Sequence, residues 1–436
     1  MKRQKELYMQ RTAIIGFGCA GFHAAKSMRE HGYNGEIHIY SNTDTPPANP
    51  MLTTYYVTGT LAYGGMFPFG DLDTLREEYD LILHRDTLVT ALDSAQRRLT
   101  LRDGRTAFFD NVVLATGASA LVPPIPGIER PGVFCMRTVE DAERLRERLE
   151  QGVRSAVVIG ASMVGIKLVE LLHKRGVPVT LADMAPHIFP TAALPEVAAE
   201  IEQRLEAQGV RQRFSRPIEA IELAGDGLEV CLGGGGRLPC DIALLCIGTR
   251  ANTQLADAGI RVDRGIVVNA QMETSAPGVY AAGDCCEGNN LLTGQTQIIG
   301  LWDNAARQGE TAGANIAGAF PAASCPGNIT HNITHFMNMD FIGLGDVRMT
   351  GDRQTFPLSG GRGRVDLVAR DGRLVCVNIL DQYRVSGVLK HFLLKSLLEP
   401  GTELGPVGRG RLEREGLPHT LIDYLEGLNK SHGSHH

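Results

Sequence analysis

Two short strings of small residues carry the chemistry this sequence can do. Gly16-Phe17-Gly18-Cys19-Ala20-Gly21 follows the apolar run Thr12-Ala13-Ile14-Ile15, and Gly160-Ala161-Ser162-Met163-Val164-Gly165 follows Ala156-Val157-Val158-Ile159. Each stands where a buried strand turns into a helix. A dinucleotide pyrophosphate rests there on backbone N–H groups at the positive end of the helix dipole. Ser162 takes the middle glycine position of the second string and is small enough for the same approach. One such string is a weak signal, but here the strand–turn–helix context occurs twice. Two turns predict two dinucleotides in one chain. The simplest chemistry for such a pair is electron transfer between a nicotinamide and a flavin.

An acidic strand end sharpens the second site. Asp183 closes the run Val179-Thr180-Leu181-Ala182, 23 residues past Gly160. A carboxylate there accepts hydrogen bonds from an adenosine ribose and repels a 2′-phosphate, so NADH is expected over NADPH. The matching place after the first string is Ser41, a less diagnostic ribose partner. His23, His31 and His38 read as surface or packing residues. Tyr55 and Tyr56 either cover a cofactor ring or pack locally.

The elements that must hold these residues read as α/β. Strand, glycine turn, helix and strand occur over residues 12–40 and again over 155–183, about 145 residues apart. Residues 42–70, rich in Pro, Thr, Tyr and Gly, predict a long functional loop with short helices. Thr87–Asp93 and Arg98–Leu101 predict antiparallel strands, and Val112–Ala115 a buried strand ending at Thr116-Gly117. Pro123–Gly127 reads as a domain crossing, Asp141–Gln151 as an amphipathic helix, and Trp302–Gly318 as an Ala-rich helix. Beyond about residue 323 the texture changes to an α+β pattern, with strands at Val365–Ala369 and Leu374–Leu380 and a helix at Ser386–Leu398.

Composition bounds the rest. The 436 residues exceed one ordinary core and predict two or three domains. Hydrophobic residues at 43% and charged residues at 21% are ordinary for a soluble globular chain. The formal net charge of -6 argues against nucleic acid or an anionic membrane as partner. No apolar run reaches the roughly 18 residues of a membrane span. The charged stretch Met1–Arg11 lacks an apolar signal core. Nine cysteines include the adjacent pair Cys285-Cys286, which is poorly placed to bridge, and no CxxC pair. A reducing cytoplasm is expected. Gly433-Ser434-His435-His436 reads as a tag remnant, and no metal site is expected.

Taken in order, the motifs resemble the two-dinucleotide flavoprotein reductases of the pyridine nucleotide-disulfide oxidoreductase superfamily, over about residues 12–320. Gly16, Gly18, Cys19, Ala20 and Gly21 are similar to the FAD pyrophosphate turn, and Asn111–Gly117, with Ala115, Thr116 and Gly117, to the strand-ATG motif. Gly160, Ser162, Met163, Val164, Gly165 and Asp183 resemble the NADH site. Ile247–Thr253, with Gly248, resembles the second glycine crossing, and Ala281-Ala282-Gly283-Asp284 resembles the motif whose Asp binds the ribityl chain. Trp302–Gly309 is similar to the helix passing the flavin. The resemblance also implies cofactor contacts at Ser41, Asn49, Pro50 and Val89. It implies two Rossmann-like dinucleotide-binding domains, for FAD and NAD, plus a C-terminal α+β interface domain. The expected boundaries are 1–120 and 247–322 for the FAD domain, 121–246 for the NAD domain, and 323–436 for an interface or dimerisation domain.

The departures from the family pattern set the functional expectation. Coenzyme A-disulfide reductases and NADH oxidases keep a redox cysteine in the loop where this chain has Pro50, and no other cysteine lies in residues 20–134. Proline forms neither a thiolate nor a sulfenate. Cys19 replaces the His of the peroxidase relatives and reads as a small packing residue. Thr54 stands where ferredoxin reductases place a Lys by the flavin, and Lys167 where the family has Glu. Lys167 is the candidate catalytic residue, a cation near the flavin–nicotinamide junction; the alternative is a solvent-facing helix residue. The expected activity is hydride transfer from NADH to flavin N5, with electrons leaving FAD directly for a ferredoxin- or rubredoxin-type carrier. Alternatives are reduction of a small organic molecule, an NADH oxidase, and an NADH-sensing flavoprotein that acts by binding partners. A homodimer is expected.

Overall fold

The computed structural model describes residues 9–358, 363–399 and 401–428. Residues 1–8 and the terminal Gly433–His436 stretch lie outside them. Fully apolar strands need both faces covered, and two five-stranded parallel sheets meet that need. The first runs Val279–Ala281, Asn111–Leu114, Arg11–Ile15, Glu36–Tyr40, Leu81–His84 in spatial order. The second runs Arg211–Arg213, Val179–Ala182, Ala156–Ile159, Ile242–Leu245, Val133–Cys135. Each glycine turn leaves a central strand, Arg11–Ile15 or Ala156–Ile159, and enters the helix Cys19–Glu30 or Met163–Lys174. Each sheet also carries a three-stranded antiparallel meander, Val89–Phe108 by the first and Ile218–Cys240 by the second.

Two crossings join the parallel-sheet units, and they pair with each other. Ala118–Ala120 and Thr249–Ala251 form an antiparallel ribbon. Asn252 locks it: its Nδ2 donates to the Thr116 carbonyl at 2.8 Å, and its own carbonyl accepts from Thr116 Oγ1 at 2.7 Å. A third sheet, antiparallel, spans His331–Leu380 and packs with the helix Ser386–Leu398. It meets the second unit through stacked Phe189 and Phe341, 5.0 Å apart, and through buried Asn378, which bonds Leu194 N and Ala192 O.

The tightest helix contact lies against the first sheet. The helix Trp302–Ile316 crosses Cys19–Glu30 at two glycines. A Cβ on Gly309 or Gly313 would stand 2.3 Å from the carbonyl oxygen of Ala20 or Ala24. Only glycine permits that backbone approach, and Ser27 Oγ reinforces it by donating to Glu310 O at 2.7 Å. Gly313→Ala is expected to cost about 1–3 kcal/mol by overpacking. Gly410→Ala, where a Cβ meets nothing within 4 Å in the helix Gly405–Arg414, should instead gain about 0.5–1 kcal/mol. Denaturant unfolding of both variants checks the pair, and equal effects would contradict the close approach.

Candidate functional site

The first glycine turn is built by exclusion. Gly16 has φ +101° and a Cβ there would lie 2.2 Å from Ala115 O; one on Gly21 would lie 2.1 Å from Gly16 O. Gly18 differs, since nothing lies within 4 Å of its absent Cβ. That open face leads onto the start of the helix Cys19–Glu30, which no side chain among the described residues caps. Its first amides therefore stay available to an anion. Cys19 points away from redox chemistry. Its thiol donates to Trp302 O at 3.4 Å, and burial, helped by Asp284, pushes it up to about 12.

The Gly283-Asp284 turn stands beside this opening, where a Cβ on Gly283 would lie 3.0 Å from Ala20 Cβ. Gly283 N donates to Gln308 Oε1 at 2.8 Å. Asp284 accepts from the Arg137 guanidinium at 2.7 Å, while Arg137 Nε donates to Ala118 O at 3.1 Å. Arg137 and Gln308 were not among the sequence candidates. Arg137 precedes the capping box Thr138–Asp141, which signals a helix start and nothing more. Trp302 opens its helix half-buried, stacked on Phe69 at 5.7 Å.

The second turn repeats the backbone but not the polar wiring. Gly160 has φ +111° and sits against Cys246 O, and Gly165 against Gly160 O. Ser162 does more than leave room: its Oγ accepts from Gly165 N at 3.1 Å and caps the helix Met163–Lys174. Asp183 Oδ2 accepts from Ala161 N at 2.6 Å, and Oδ1 from Ala185 N at 2.8 Å. Met163 and Val164 open the helix, with Val164 exposed. Gly248, at φ +112°, has open space around its missing Cβ and leads into the crossing ribbon.

Comparison with known proteins fits this geometry. Residues 10–309 match the family described as pyridine nucleotide-disulphide oxidoreductase. The chain belongs to that family. An NADH oxidase of Methanocaldococcus jannaschii is 29% identical over 83% of this chain and 81% of its own. The chlorobenzene dioxygenase ferredoxin reductase component of Cupriavidus sp. (strain PS12) is 31% identical over 86% of this chain and 90% of its own. The structure of an NAD-dependent persulfide reductase from A. fulgidus superposes with TM-score 0.80 at 27% identity, over 88% of this chain and 76% of that one. The chain is thus an FAD-dependent NAD(P)H oxidoreductase that uses NADH, with the Rossmann-like α/β fold of its family.

The residues present fit a flavin dinucleotide at the first turn. The open Gly18 face and the uncapped helix start are what a pyrophosphate requires. At the strand end, Ser41 N donates to His84 O at 3.1 Å, and Ser41, Thr43 and Thr45 form a hydroxyl chain. These residues line a small recess with Phe17, His84 and Arg85. Val89 is buried with its side chain in the core of the first unit.

The loop that carries the family's departures is ordered by its own bonds. Asn49 Oδ1 accepts from Met51 N at 3.0 Å, and Pro50 opens a single 3-10 turn. Thr54 is buried and donates to Met51 O. The tyrosines pack locally, Tyr56 against Tyr63 at 5.9 Å and under the Arg146 guanidinium. Lys167 does not face solvent, since its side chain is only 16% exposed. Its ammonium bonds Glu170 at 2.5 Å and His335 O at 2.8 Å, and lies 5.0 Å from the Tyr55 ring centre. Burial alone would raise the Glu170 carboxyl, but bonds from Lys167 and Lys174 outweigh it and hold it below its ordinary range. Among the described residues, the charge of Lys167 is thus largely shared with Glu170.

The open position gives a test. Gly18→Val, in extended backbone that valine adopts freely, should leave ligand-free stability within about 0.5 kcal/mol and weaken FAD retention at least about tenfold. Flavin fluorescence after dialysis and a thermal melt measure the two. Wild-type retention would remove the first turn as the pyrophosphate seat.

Proposed function

We propose that this enzyme takes electrons from NADH and delivers them straight from FAD to a one-electron iron–sulfur carrier of the ferredoxin or rubredoxin type, with no redox disulfide. The observation that carries the reading is the state of the cysteines. All nine are free, and every thiol is pushed above its ordinary value, with burial the largest cause in each case. A thiol held protonated is a poor nucleophile. Pro50 supplies none either. The ferredoxin reductase component among the relatives supports the choice of carrier.

Bound FAD supplies the conversion between a two-electron hydride donor and a one-electron acceptor. The protein's share is placement. The Gly16–Gly21 turn and Asp284 hold the flavin dinucleotide, with Arg137 aligning the Asp284 carboxylate. The Gly160–Gly165 turn and Asp183 hold NADH, and Asp183 sets the preference over NADPH. Lys167 keeps a cation where the second helix, the loop at Tyr55 and the C-terminal strand His331–Phe336 meet. The reading includes a cytoplasmic setting, in line with unbridged thiols, and a homodimer. Among the described residues no helix is long and apolar enough to cross a membrane.

Reductive titration tests the absence of a redox disulfide. About two electrons per FAD are expected, against about four if a disulfide shares the charge. Turnover with a ferredoxin should survive alkylation of the NADH-reduced enzyme; uptake of four electrons or loss on alkylation would overturn the reading. Fast flavin reduction without turnover on any carrier would favour the sensing alternative. Lys167→Met should slow flavin bleaching by NADH about tenfold. An unchanged rate would take Lys167 out of the mechanism.

A further inference from the structure

The two glycine turns differ in one respect that bears on how their ligands come and go. In the first, position three is Gly18, and among the described residues no side chain caps the following helix and a Cβ there would meet nothing within 4 Å. In the second, position three is Ser162, whose hydroxyl already accepts from Gly165 N at 3.1 Å. Asp183 takes a further amide of the same turn, Ala161 N, at 2.6 Å. Side chains take two amides of the second turn without a ligand, and among the described residues none caps the helix that follows the first.

Unpaired amides at a helix start are costly unless water, a side chain or a ligand takes them. A turn with no internal acceptor gains the full benefit of an anion and holds it tightly. A turn with an internal acceptor gives that bond up, or shares it, when the anion arrives. We infer that Ser162 is a built-in stand-in for the dinucleotide pyrophosphate, which weakens the second site by the worth of one helix cap and so lets NADH and NAD+ exchange while FAD stays. Ser162 is then a positioning residue that sets residence time and not a cofactor ligand. The inference rests on the reading that the second turn is the NADH site.

Ser162→Ala isolates the hydroxyl, because alanine keeps the Cβ and accepts the extended backbone at φ -90°, ψ 176°. In the FAD-loaded enzyme, NADH and NAD+ should bind about fivefold tighter, the equivalent of one N-cap. The melting temperature without nicotinamide should fall, and NAD+ release in stopped flow should slow. Weaker NADH binding would show that the hydroxyl contacts the cofactor, and unchanged binding that the cap is never displaced; either result overturns the inference. Gly18→Ser provides the reciprocal test: a transplanted cap should raise apoprotein stability and loosen FAD, and tighter FAD binding would count against the idea. Asp183→Ala separates the two levels. If it leaves NADH affinity untouched, the site reading itself fails. If it weakens NADH while Ser162→Ala has no effect, only the stand-in role fails.

Discussion

The approach of the helix Trp302–Ile316 to the helix Cys19–Glu30 is the constraint on which the first site depends. Gly309 and Gly313 let the two backbones meet where a methyl group would collide with Ala20 O and Ala24 O. That contact sets where three functional parts lie. The glycine turn enters one helix, Trp302 opens the other, and Gln308, one residue before Gly309, reaches the Gly283 amide. Moving either helix would separate the first glycine turn from the Asp284 turn. Small residues at this crossing therefore fix the first glycine turn and the Asp284 turn relative to each other.

A second layer of order comes from charges whose partners lie on different elements. Glu170 is buried yet ionised because Lys167, Lys174 and Met337 N all address its carboxylate. Removing one partner from such a group is expensive, since the remaining charge stays buried. The cluster ties the helix Met163–Lys174 to the C-terminal sheet and brings the Tyr55 loop against Lys167. Arg137 plays a similar part between the units. It follows the crossing ribbon, bonds Ala118 O and ends on Asp284. Relative placement of the two dinucleotide turns thus runs through a few charge-assisted bonds, which are shorter and stronger than neutral ones.

Much of the framework was legible in the residues. Apolar runs of four or five located the central strands, and the expected helix Ser386–Leu398 has those bounds in the structure. Glycine turns were legible because their demand is local: a positive φ, or a space with no room for a Cβ, leaves its mark on one residue type. Pro50 and Thr54 were legible as losses for the same reason, since a missing thiol or ammonium needs no neighbour to be recognised. The cap at Ser162 was not legible, because residue type and place in the motif show a small side chain in the second turn but not where its hydroxyl points.

The sequence by itself determined that two dinucleotides bind, that the second turn ends in an acidic strand, and that the loop after the first unit holds no thiol. Those properties depend on residue identity and on spacings within one strand–turn–helix unit. Only the tertiary structure decided that Arg137 meets Asp284 across 147 residues, that Gln308 pins Gly283, and that Lys167 shares its charge with Glu170. The reason is physical. A long-range polar pair has no periodicity and no obligatory residue at an intervening position. Its partners are chosen by which backbones pack together, and at the first site that packing begins at two glycines.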